Sequence, residues 1–145
     1  MKATGIVRRI DDLGRIVIPK EIRRIIRVRE GDPLEVYLEG EDVVFRKYSP
    51  MIFDLDSIKR VLGNKVPQFA VYDRWNLLHR KGNYDFPKIP PEKWEDRRDT
   101  FIDKDSVIYS VIANGELFGY VMIPGTEKSD FIKGVIAMMC TRLSE

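Results

Sequence analysis

Short apolar runs punctuated by turn residues fill the first fifty positions of this 145-residue chain. Thr4-Gly-Ile-Val-Arg-Arg-Ile is rich in β-branched side chains, Asp11-Asp-Leu-Gly supplies a turn, and Arg15-Ile-Val-Ile is a second run, which together predict strand, loop, strand. Pro19 ends that strand and suits the first position of a helix over about 20–27, with Ile22, Ile25 and Ile26 on one side and Arg23, Arg24 and Arg27 on the other. After Glu30-Gly-Asp-Pro, the residues Leu34, Val36 and Leu38 alternate with Glu35, Tyr37 and Glu39. Gly40-Glu-Asp then turns the chain into Val43–Lys47, a hairpin.

Beyond Ser49-Pro50 the pattern changes, and the domain boundary is expected there, giving units 1–50 and 51–145. Phe53, Leu55, Ile58, Val61 and Leu62 form a helical stripe ending at Gly63. Strands are expected at Gln68–Asp73 and Leu77–Arg80, followed by a loop over 81–100 with one short helix near Glu92–Arg98. Ser106–Ala113 and Leu117–Ile123 flank Asn114-Gly115, a strong hairpin signal because both turn positions need positive φ. A last helix over about 128–143 carries an apolar surface wide enough for its own sheet and a second helix.

Charge sharpens this picture. Residues 1–29 hold nine cations and three acids, residues 30–50 hold six acids against Arg46 and Lys47, and the rest is balanced. A nearly neutral protein, +2 overall, with one strongly basic end points to a polyanionic partner for that end. The composition, 43% apolar and 33% charged, is that of a folded soluble chain. No apolar run has the length of a membrane span and the first residues show no secretory h-region, so a cytoplasmic location is expected. One cysteine, Cys140, and one histidine, His79, exclude an internal disulfide and a Cys/His zinc site, and no cofactor is expected. Cys140 reads as inert core and His79 as a half-exposed strand residue. No nucleophile–base pair or phosphate loop is present, so the chain does not read as an enzyme.

A fifty-residue unit of four short strands and a two-turn helix buries too little apolar surface alone, and a dimer is expected, with two basic segments on one face. The run Thr4-Gly-Ile-Val-Arg-Arg-Ile-Asp-Asp-Leu-Gly-Arg-Ile-Val-Ile-Pro-Lys-Glu-Ile-Arg-Arg, with Glu30-Gly-Asp-Pro-Leu-Glu-Val, resembles the DNA-binding domain of AbrB and SpoVT-type bacterial transition-state regulators. The resemblance covers about a third of the chain and implies an intertwined, swapped-hairpin β-barrel dimer. The implied contacts to double-stranded DNA are Arg8, Arg15, Arg23 and Arg24, with Arg9 where a lysine is common. The order of elements in 51–145 resembles a shortened GAF-like sensory domain. Mixed α and β is thus the expected fold class, a swapped-hairpin barrel followed by an α+β GAF-like domain. The expected function is that of a nucleoid-associated transcription regulator, a homodimer or a homotetramer joined through the C-terminal helices, with scope for a small-molecule effector.

Several features admit two readings. Gly14, Asp11 and Asp12 either form a plain surface turn or hold an arginine in place. Tyr72, Trp75, Tyr84, Phe86 and Trp94 either fill a core or line a ligand cavity. The rival functions are an antitoxin that binds DNA through the same barrel, which would need a C-terminal segment that folds on a toxin, and a metabolite-binding module.

Overall fold

In the computed structural model, which describes residues 1–144, the chain divides into two units, Met1–Tyr48 and Ser49–Glu145. In the first, Pro19 (φ −58°) precedes helix α1, Lys20–Ile26. Arg27 closes the helix in the left-handed conformation at φ 59°, and its neighbour Val28 donates to Arg23 O at 3.0 Å, a cap that glycine more often supplies. Strands β1 (Leu34–Glu39) and β2 (Asp42–Lys47) form the expected hairpin, with Val36 opposite Phe45 and Leu38 opposite Val43.

The expected strands at 4–10 and 15–18 do not form: both segments lie outside any sheet. A β-branched run adopts a ladder only when another strand accepts its backbone groups, and the hairpin β1–β2 pairs with itself alone. No residue of 1–48 is buried. The apolar face of the hairpin is bare, with Val36 at 59%, Leu38 at 79%, Val43 at 55% and Phe45 at 49% exposure.

The second unit is built on a five-stranded antiparallel sheet in the order β4-β3-β7-β6-β5. Its strands are β3 (Phe69–Asp73), β4 (Leu77–Lys81), β5 (Thr100–Asp103), β6 (Ser106–Ala113) and β7 (Glu116–Pro124). Asn114 (φ 53°) and Gly115 (φ 77°) make the β6–β7 turn in the positive-φ conformation their types favour. Helix α2 (Leu55–Gly63) and helix α3 (Asp130–Leu143) cover one face of the sheet. There Ile58, Leu62, Ile132 and Met139 pack on Phe69, Val71, Tyr109 and Val121. Ser129 caps α3, its hydroxyl accepting the Ile132 N–H at 3.3 Å.

The opposite face is closed by the segment 82–99, where the expected helix shrinks to one 3₁₀ turn, Glu92–Trp94. Trp94 is fully buried against Tyr72 and Tyr120, ring centroids 5.5 and 5.3 Å away, and its indole N–H donates to Asp103 Oδ2 at 2.9 Å. Tyr72, Phe86 and Trp94 therefore form core, with Tyr84 at its edge, while Trp75 is buried outside that cluster. Strand β5 was not expected from sequence. His79 lies half-buried on β4 and Cys140 half-buried on α3. Among the described residues no helix is long and apolar enough to cross a membrane.

Candidate nucleic-acid interface

The basic residues occupy three local settings within the first unit. Arg8 and Arg9 lie outside any helix or strand, Arg15 closes a loop, and Arg23 and Arg24 sit on consecutive positions of α1; all five are exposed. A guanidinium has a planar fork of donors that fits phosphate oxygens and the guanine edge alike, and it stays charged at any physiological pH.

The loop 11–15 is the most ordered of these settings. Asp11 Oδ1 accepts the N–H groups of Leu13 at 2.9 Å and Arg15 at 2.8 Å, while its Oδ2 takes the Arg15 Nε–H at 2.7 Å. The backbone closes the same ring, since Asp11 N–H donates to Arg15 O at 3.0 Å and Gly14 N–H to Asp11 O at 3.1 Å. Gly14 supplies φ +78° with open space around it, so backbone conformation and not crowding calls for glycine there. Of the two readings left open for this loop, the structure carries the second for Asp11: it holds an arginine.

Electrostatics agree with the geometry. The Arg15 backbone N–H first, and its side-chain hydrogen bond next, hold the Asp11 carboxyl below the ordinary aspartate value of 3.8. The Arg15 side chain nonetheless keeps 70% of its surface exposed, so one edge of the fork is held while the rest faces outward. Outward-facing cations held in this way can neutralise phosphates, contacts that position a protein on a duplex. Among the described residues no group of three or more His, Cys, Asp or Glu is arranged to hold a metal ion.

Residues 7–53 match the sequence model of a family described as antidote-toxin recognition MazE, bacterial antitoxin. Over 52 residues, 35% of this chain, the sequence is 69% identical to stage V sporulation protein T of Bacillus subtilis (strain 168), covering 29% of that protein. It is 52% identical over 50 residues to the transition state regulatory protein AbrB of the same organism, and 42% identical over 50 residues to that organism's Abh. The chain spans 29% to 54% of the length of these curated relatives. Among solved structures, the N-domain of the transcription factor AbrB is 52% identical, covers 34% of this chain and 96% of its own, and superposes with a TM-score of 0.33. A refined solution structure of the same B. subtilis protein describes that part of it as an N-terminal DNA recognition domain. On sequence identity, the first fifty residues of this chain are an AbrB/SpoVT-type amino-terminal domain.

Proposed function

We propose that this protein is a transcription regulator of the AbrB/SpoVT type that binds double-stranded DNA in the bacterial cytoplasm. Arg8, Arg9, Arg15, Arg23 and Arg24 make the contacts. The observation that carries this reading is the exposed arginine array on a segment 69% identical to stage V sporulation protein T and 52% identical to the transition state regulatory protein AbrB. The role is one of binding, without an enzymatic step.

The binding species is an intertwined dimer. The bare face of the β1–β2 hairpin and the unpaired runs 4–10 and 15–18 are complementary deficits, one lacking a cover and the other lacking ladder partners. A second copy removes both at once by swapping hairpins. The second unit offers a surface through which such dimers could pair into a homotetramer. There Phe53 (81% exposed) and Phe131 (45%) are bare apolar side chains, and Met138 (57%) lines a groove of about 90 Å³ between α2 and α3. Helix-to-helix contact would cover that surface. The unit is read as a shortened GAF-like domain on its element order, with its aromatic face filled by Trp94.

The family model named for an antitoxin favours a second reading, in which residues 7–53 bind DNA and the remainder binds a toxin. A C-terminal segment that orders only on a toxin would lack a core. Residues 49–144 have buried clusters on both faces of a sheet, which favours the regulator. Limited proteolysis tests this: a resistant C-terminal fragment supports the regulator and rapid degradation supports the antitoxin.

Fluorescence anisotropy on duplex DNA across a salt series tests the main reading. If four arginines per protomer each neutralise one phosphate, the logarithm of affinity falls against the logarithm of salt with a slope of about −7. Arg15→Ala and Arg23→Ala should each cost about 1–3 kcal/mol of binding free energy. Unchanged affinity in both variants would leave the metabolite-binding reading in its place.

A further inference from the structure

The second unit begins with a residue tied to its interior. Ser49 Oγ–H donates to Asp73 Oδ2 at 2.8 Å, and Asp73, only 3% exposed, sits at the end of β3. The other oxygen of that carboxylate accepts the backbone N–H of Trp75 at 2.8 Å and of Asn76 at 2.6 Å. The Ser49 hydroxyl is therefore the donor that serves Oδ2, and a buried carboxylate oxygen stripped of its donor is costly.

The next residues are seated just as firmly. Pro50 opens a 3₁₀ turn, Pro50–Asp54, in which the Ile52 N–H donates to Ser49 O at 3.3 Å. Met51, 1% exposed, lies on Gly119 of β7, where a Cβ would collide with its sulfur and with the Tyr72 carbonyl. Gly119 pairs with Asp73 across the sheet, so hydroxyl, carboxylate, thioether and glycine occupy one spot on β3–β7. On the other side of the boundary, Tyr48 N–H donates to Pro33 O at 3.3 Å. Tyr48 and Ser49 are thus each hydrogen-bonded within their own unit.

We propose that the Ser49–Asp73 hydrogen bond and the Met51–Gly119 seat are a latch that keeps the tether of the DNA-binding unit short, making Ser49 and Asp73 positioning residues for two-site DNA binding. This rests on the regulator reading above. When several DNA-binding units are joined in one assembly whose tethers already span the two sites, the second contact forms at an effective concentration that falls roughly as the −3/2 power of any further tether length. Releasing the six residues Ser49–Asp54 lengthens a connector of about two residues to about eight, which on that scaling lowers two-site affinity about 5- to 10-fold. Single-site affinity does not depend on the tether.

The test uses the full chain and Ser49→Ala, with Ser49→Thr as the variant that retains a hydroxyl. Binding is measured by anisotropy on a short duplex with room for one DNA-binding unit and on a long duplex of the same repeated sequence. Hydrogen exchange at the Ile52 and Asn76 amides reports the latch itself. The expected result is faster exchange and a 5- to 10-fold loss on the long duplex alone for S49A, with S49T close to wild type. Two outcomes overturn the latch: unchanged exchange and affinity in S49A, or an equal loss on both duplexes. Failure of the wild-type chain to bind either duplex removes instead the regulator reading on which the latch depends.

Discussion

Asp11 and Arg15 hold each other through three hydrogen bonds from Arg15 or to it: the carboxylate takes both the backbone and the side-chain N–H of Arg15, and the Arg15 carbonyl takes the Asp11 N–H. An arginine bound only through Nε at 2.7 Å presents its two terminal nitrogens in a fixed direction. Asp11→Ala should therefore weaken DNA binding although it removes a negative charge, which on Coulomb grounds alone would strengthen it. An anisotropy titration that showed tighter binding by D11A would reject the positioning role.

The same pair sets a pH window. Because the folded-state carboxyl lies below its ordinary value of 3.8, the contact is fully present above that value and is lost as pH falls through the lower, folded-state one. The Arg15 Nε–H resonance should stay constant from neutrality down to about pH 4 and move only under more acidic conditions. A transition near pH 6 would show that another group controls the loop.

Leu38→Asp or Phe45→Asp on the bare hairpin face should convert the protein to a form lacking the amino-terminal dimer contact. A charge placed in a face that must be covered costs several kcal/mol once the cover forms. Ultracentrifugation of the 1–50 fragment reads this directly, with wild type dimeric and either variant monomeric. Wild-type fragment sedimenting as a folded monomer would refute the swapped-hairpin assembly.

Trp94→Ala should destabilise the C-terminal unit by about 3–5 kcal/mol, the usual cost of emptying a large aromatic site. Its anchor is acid-sensitive. Burial pushes the Asp103 carboxyl up, but the bonds from Lys93 (2.8 Å) and Trp94 outweigh it and hold the group below 3.8. The stabilisation is thus complete above that value and fades as pH drops beneath it. Thermal melts of wild type and W94A, followed by circular dichroism, should differ at every pH, with the gap narrowing in strong acid only by the share that the Trp94–Asp103 hydrogen bond contributes.

Gly119→Ala should be poorly tolerated, because the new methyl meets a backbone carbonyl as well as the flexible Met51 side chain. Only the methionine can yield, so strand β7 must shift. A loss of about 1–3 kcal/mol or more is expected in chemical denaturation. Gly134→Ala, on α3 with nothing near its Cβ position, is the matched control and should be neutral or stabilising.

Elements whose side chains declare a period were legible in the sequence: α1, the β1–β2 hairpin, the Asn114-Gly115 hairpin and α3. Strand β5 escaped because Thr100–Asp103 is four residues long and lies between Arg97-Arg98-Asp99 and Asp103-Lys104-Asp105, too short for alternation to stand out. The segment near Glu92–Arg98 has helix-forming residues, yet Trp94 turns inward to the sheet and leaves no second apolar position to extend the turn. Runs 4–10 and 15–18 have strand propensity without a ladder, since pairing is a property of neighbours and not of composition. In the site, the arginines were visible as uncompensated charge, and Asp11 only as one of two readings. The Ser49–Asp73 bond left no trace, being 24 residues apart and joining a linker serine to an acid that looks like an ordinary turn residue.

An arm in which no residue of 1–48 is interior has no private stability to draw on. On the dimer reading its order arises at the encounter of two newly made chains, so expression level itself becomes an input to regulation. Scarce protein would be erased by proteases before it matured, and a co-expressed relative with a matching hairpin could be captured into a mixed species with its own operator preference. Folding and partner choice are then one event, and gene dosage is the dial that sets it.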